Sequence, residues 1–219
     1  MKKVLQQLDE QKYYSKESKC QFLTRKLEIL AYILTSDGLH VNPKKRKMIL
    51  EFSTPARQKD LYGFLGMVNY LQRFLPRLAS NASILLQLQG ECTKWIWTDT
   101  YDQAFKRLKK LMNSSPILRP WNNKSKEPKY WIYDASNVEL GLWMGQGTLD
   151  AIRPSCFHSQ KFNPAQLRYS TYQKELLTII DSLHYFEAQV RGHKFVIVTD
   201  HKPLLTFRQR TPDSQKLRR

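Results

Sequence analysis

The sequence predicts a chain of the α/β class, a small helical bundle followed by a β-sheet with a flanking helix. Apolar residues recur at helical spacing between residues 43 and 115. The stretch SPILRPWNNKSKEPK, with three prolines and a polar run, then breaks all periodicity. Beyond it, short apolar runs bracket a single long helical pattern, the alternation expected of a sheet packed by helices.

Taken in order, the first forty residues are Lys- and Gln-rich and then turn strand-like at LEILAYIL. The turn TSDG follows, with Gly38 available for a positive φ. Asn42 can cap a basic helix that starts at Pro43 and turns Met48, Ile49 and Phe52 to one face. After Pro55, Leu61, Phe64, Leu65, Val68 and Leu75 fall at offsets 0, 3, 4, 7 and 14, the stripe of a longer helix. Gly63 and Gly66 sit inside it, each at a cost of about 1 kcal/mol against alanine. Glycines so placed let something come close to the helix backbone, either a second helix or a nucleic-acid strand. WTDTYDQAFKRLKKLMNS supplies a third helix, capped at Thr98 or Thr100, with Phe105, Leu108 and Leu111 on its inner face.

After the linker, YWIYDAS, ELGLWMGQ and IRPSCFHSQ read as strands. A helix is predicted from about Pro164 to Val190, burying Leu176, Ile179, Ile180, Leu183 and Val190. Phe195 to Val198 are apolar without alternation, which predicts a central strand covered on both faces. The order β-β-β-α-β is that of an α/β or α+β domain.

Lys and Arg number 36 against 19 Asp and Glu, a formal charge of +17 in 219 residues. That balance points to a polyanionic partner. No run approaches the roughly 18 to 20 apolar residues of a spanning helix, and no early segment resembles a secretion signal. A soluble, intracellular protein with no membrane partner is expected. Cys20, Cys92 and Cys156 are scattered and odd in number, which suits neither a disulfide framework nor a zinc site. Aromatic residues interleave with basic ones, as in DLYGFLGMVNYLQRFLPR, a mixture that serves a core or a surface for phosphates and bases. Lys44, Lys45, Arg46 and Lys47, with Lys106, Arg107, Lys109 and Lys110, are candidates for holding backbone phosphates, or are solvated helix faces.

The chemistry concentrates in three acids. Asp134 closes the strand YWIYD, Asp200 closes FVIVTD, and Glu175 precedes buried Leu176 on the long helix. Functional groups collect beyond the carboxyl ends of such strands. Converging carboxylates repel one another unless cations neutralise them, and oxygen donors without Cys or His favour Mg²⁺ or Mn²⁺. Two such ions can activate water and stabilise the leaving oxygen of a phosphodiester. Singly, each acid could instead cap a helix, start a turn or sit solvated.

At these residues the chain resembles gypsy-like LTR retrotransposon reverse transcriptases, nearly end to end. KCQF and LAYILTSDGLHVNPKK are similar to the end of that family's palm, DLYGFLGMVNYLQRFLP to its thumb helix. YDAS, LGLWMGQ, RYSTYQKELLTIIDSLHYF and FVIVTDHKPLL are similar to successive blocks of its ribonuclease H domain. The resemblance implies a palm remnant over 1–42, a thumb-like bundle over 43–118 and, over 119–219, an incomplete ribonuclease H-like mixed β-sheet with flanking helices. It assigns Asp134, Glu175 and Asp200 as catalytic metal ligands for Mg²⁺ or Mn²⁺. It further implies a ribonuclease H-type endonuclease acting on RNA–DNA hybrid or another double-stranded nucleic acid, and an intracellular setting in a cytoplasmic virus-like particle or the nucleus. Its partners are the remainder of the polyprotein or a second subunit. His201 directly follows a ligand and either reaches the scissile region or is an ordinary surface or capping histidine; no catalytic role is assigned to it.

The departures are as specific as the matches. No Asp-Asp pair occurs here, whereas the family's polymerase motif carries one, so DNA synthesis by this chain alone is not expected. The family continues past SQKLRR into a strand and a helix with a fourth acidic ligand, so the ribonuclease H-like region is expected to be truncated. Glu139 stands where the family has glycine, Ala31 replaces a glycine, and Leu71 breaks a tyrosine pair. A domesticated, non-catalytic nucleic-acid-binding or scaffolding protein is the alternative.

Overall fold

The computed structural model describes residues 2–14, 16, 18, 20–22, 24–90, 93–133, 136, 138–200 and 202–205. After a solvent-exposed helix α1 (Lys2–Glu10) comes a three-stranded antiparallel sheet of β1 (Leu27–Ile29), β2 (Tyr32–Leu34) and β3 (Leu39–Val41). The run LEILAYIL is thus a hairpin rather than one strand, because Leu30 takes a left-handed φ of 55° and reverses the chain. Gly38, at φ 152°, turns β2 into β3. A side chain there would meet the Leu118 carbonyl oxygen at 2.5 Å, so only glycine fits.

Helices α2 (Pro43–Leu50), α3 (Gln58–Tyr70), α4 (Leu78–Leu86) and α5 (Asp99–Asn113) form the bundle. Asn42 caps α2 as expected, its side chain accepting from the Lys44 amide at 2.9 Å. The bundle holds four helices where the spacing predicts three, because α3 stops at Tyr70. Leu75 therefore does not belong to its stripe; a 3-10 turn (Gln72–Phe74) and a left-handed Arg77 redirect the chain into α4. Leu61, Phe64, Val68, Leu75, Leu85, Leu108 and Met112 are sealed in one core. Met48, expected on that core face, is 52% exposed.

The second sheet runs in the order β6-β5-β4-β7, with β4 (Lys129–Tyr133), β5 (Glu139–Gln146), β6 (Arg153–Lys161) and β7 (Val196–Val198). β5 pairs antiparallel with β4 and β6, and β7 parallel with β4, so the sheet is mixed. The predicted central strand is a correction: β7 lies at the sheet edge among the described residues, with Val196 and Ile197 at 49% and 38% exposure. The strand covered on both faces is β5, buried at seven of its eight residues. On one side α4 and the turn before it lean on β6, with Phe157 packed against the bundle core. On the other lie α6 (Thr171–Tyr185) and α7 (Glu187–Val190), over a core of Trp131, Leu142, Met144 and Phe186. A short α8 (Lys202–Leu205) follows β7.

The helix predicted over 164–190 is also corrected. It begins at Thr171, where Ser170 and Gln173 form a reciprocal capping box, and it breaks at Phe186. Of its predicted stripe, Leu176 and Val190 are buried and Ile179 and Leu183 pack against the second core, but Ile180 is 38% exposed, and Lys174, Glu175, Thr178 and Ser182 are buried as well. Polar pairing across the seam accounts for buried Ser182, whose hydroxyl meets that of Tyr133 at 2.7 Å. Burial pushes the Tyr133 phenol well above its ordinary value, which keeps it a neutral hydrogen-bonding group.

Candidate nucleic-acid interface and carboxylate site

Between the β1–β2 turn, α2 and α3 lies a groove of about 580 Å³. Gly63, Gly66 and Tyr70 of α3 form one side, Lys45 and Met48 of α2 the other, and Leu30 of the hairpin turn closes an end. A Cβ added at Gly63 or Gly66 meets no atom within 4 Å. Among the described residues no helix packs on these glycines, and both line the groove. Tyr70 stacks on Tyr32 with ring centres 6.0 Å apart, and its carbonyl accepts from the Tyr32 hydroxyl at 3.0 Å. The exposed apolar rim of Leu30, Met48 and Tyr70 is a feature that periodicity alone misassigns, because an apolar residue is counted toward the core by default.

The eight basic candidates divide by what they already hold. Arg46 donates to the Ser115 hydroxyl at 3.0 Å, and Lys109 donates to the Phe52 carbonyl at 2.5 Å while lying 4.6 Å from the Phe105 ring centre. Both fasten α2 and its exit to α5, and burial lowers the Lys109 pKa. Lys47 pairs with Glu51 at 3.7 Å and Lys106 with Asp102 at 2.7 Å, each one turn along an exposed helix face. Asp102 raises the Lys106 pKa. Lys44, Lys45, Arg107 and Lys110 are exposed, and Lys45 stands in the groove wall.

The carboxylates are built on the second sheet. β4 and β7 run parallel, with Ile132 opposite Val198, so the two strands end at the same rim. Asp200 lies exposed two residues beyond β7. Asp134 and His201 lie outside the described residues. Glu175 is 6% exposed and shares a helix face with Thr178 and Ser182, at offsets of three and seven, and Ser182 bonds to Tyr133 of β4. That face looks onto β4, so Glu175 is buried in the seam between helix and sheet. Among the described residues no three His, Cys, Asp or Glu side chains come close enough to hold a metal. The described donors are two carboxylates, an oxygen set that suits a hard divalent cation.

Residues 97–197 match the family model described as the RNase H-like domain found in reverse transcriptase. The match starts at Trp97, ahead of α5, although α5 packs in the bundle core. The shared fold appears in foamy viral protease-reverse transcriptase dRH in complex with double-stranded DNA, at TM-score 0.74 and 19% identity over 93% of this chain and 36% of that one. It appears again in foamy viral protease-reverse transcriptase in complex with RNA/DNA hybrid, at TM-score 0.72 and 18% identity over 86% and 26% of the two chains. Fold and family match together define a retroelement reverse-transcriptase segment with an RNase H-like domain. The Tf2-3 and Tf2-4 transposon polyproteins of Schizosaccharomyces pombe are each 31% identical over the whole chain. The chain belongs to the gypsy-like LTR retrotransposon reverse transcriptases, and it spans 17% of the length of these curated relatives. Among the described residues no helix is long and apolar enough to cross a membrane.

Proposed function

We propose that the chain grips RNA–DNA hybrid along the groove beside α3 and presents its RNA strand to a hydrolytic site built on Asp134, Glu175 and Asp200. The observation that carries this reading is the open glycine face of α3, with Lys45 across from it and a chain charge of +17. A glycine face admits a sugar edge to van der Waals contact, and the lysine meets the adjoining phosphate. The nucleic-acid complexes of the foamy viral neighbours support it. In this reading the α2–α5 bundle acts as a thumb.

Asp134, Glu175 and Asp200 would hold Mg²⁺ or Mn²⁺, which when bound supplies an activated water and neutralises the leaving oxygen. The chain's own part is to aim the oxygens. Burial between α6 and β4 restricts the Glu175 carboxylate, while exposed Asp200 leaves the rim open to a duplex.

The test uses a labelled RNA–DNA hybrid with this chain and its Glu175→Gln variant. Binding by both with Mg²⁺- or Mn²⁺-dependent cleavage only by the parent is the expected result. Cleavage unchanged by Glu175→Gln refutes the carboxylate assignment. Tight binding with no cleavage by either chain transfers the reading to a non-catalytic binder.

A further inference from the structure

The N-terminus of α4 is capped by a different part of the molecule. Its own N-cap residue, Arg77, adopts φ 50°, ψ 40° and makes no side-chain cap. The first amides of the helix are taken up by the second sheet: Ala79 N–H donates to the Ser159 hydroxyl at 2.9 Å and Ser80 N–H to Glu139 Oε2 at 2.5 Å. Ser159 belongs to β6 and Glu139 to β5, and the register that sets Gly141 opposite Ser159 and Glu139 opposite Lys161 turns both side chains to one face. Glu139 is 1% exposed. A buried carboxylate is costly unless its charge is answered. Here the positive end of α4 and the Ser80 amide contribute to that answer.

We propose that Glu139 and Ser159 form a latch, a helix cap delivered across the boundary between bundle and sheet, that locks the two together. The contact is directional: Phe157 against the bundle core tolerates sliding, but two amides aimed at two oxygens define one orientation. The latch thereby sets the offset between the groove beside α3 and the seam that holds Glu175. Only that last consequence rests on the proposed function; the latch itself is a property of the chain without nucleic acid.

Scanning calorimetry of the whole chain tests it, with Glu139→Ala, Ser159→Ala and, as a control, Ser182→Ala. The control weakens the sheet unit through its bond to Tyr133 without touching the boundary. The parent and Ser182→Ala are expected to unfold in one transition. Glu139→Ala is expected to split it in two and to speed tryptic cleavage at the exposed linker residues Lys124 and Lys126 roughly tenfold, in line with loss of a helix cap. Ser159→Ala follows in the same direction with a smaller effect. A single transition in Glu139→Ala, shifted as in Ser182→Ala, overturns the latch, as does a parent that already unfolds in two steps.

Discussion

Lys45 and Lys109 carry the same charge on adjoining helices of one bundle, yet one stands open in the groove and the other is fastened to the Phe52 carbonyl. Sequence treats them alike; only burial and partners separate them. His158 shows the same gap more sharply. It sits on β6 at 7% exposure, stacks on Tyr185 at 3.9 Å and lies 3.7 Å from an Asp181 oxygen, with no hydrogen bond to either ring nitrogen among the described residues. Burial lowers its pKa, and Asp181 only partly opposes this. Below about pH 6.5 the unfolded chain takes up a proton that the folded chain resists. Stability is therefore intact above that pH and falls as pH drops from there toward the lowered folded value. Denaturant midpoints of parent and His158→Phe between pH 5 and 8 should converge above 7, with the parent losing more below 6.5. Parallel curves would show that His158 is not the acid-sensitive group.

Among elements, α3 separates stability from binding. An added methyl at Gly63 or Gly66 fills open space, so Gly→Ala should stabilise the helix by about 0.4–1 kcal/mol at each site. The same methyls stand in the groove and should weaken hybrid binding. Thermal melts and fluorescence anisotropy of the double variant should move in opposite directions; a more stable chain with unchanged affinity would place the duplex elsewhere. α3 and α5 were legible because long amphipathic patterns repeat over three or more turns, and Asn42-Pro43 announced α2. α4 was hidden because Leu75 happens to continue the phase of α3 across a 3-10 turn. The apolar run of β7 matched a buried strand, but its place in the sheet depends on pairing with β4, sixty residues upstream and more, which no local pattern encodes. Of the site, Glu175 and Asp200 could be read as acids at a helix–sheet seam and a strand end. The groove could not, because its apolar rim looks like core in the sequence and its shape exists only once the hairpin, α2 and α3 have met.

At the scale of the whole molecule the charge of +17 becomes a measurable property. Lys44, Lys45, Arg107 and Lys110 are exposed, and four phosphate contacts give a log–log salt slope of about −3.6. Hybrid affinity should then fall roughly a hundredfold between 50 and 200 mM salt. A flat salt response would remove these residues from the interface.

The sheet that backs Glu175 has one face against α6 and the other against the bundle, and this arrangement gives the chain a timetable. The bundle is assembled from consecutive helices, so its contacts close locally and early. The second sheet must wait for β7 to return to β4 across a long stretch of chain. During synthesis the bundle leaves the ribosome first and offers β5 and β6 a finished wall to settle on. In refolding, a fast helical phase should precede a slower one reported by Trp131, buried where the sheet meets α7. The bundle is in that sense the mould in which the second sheet is cast.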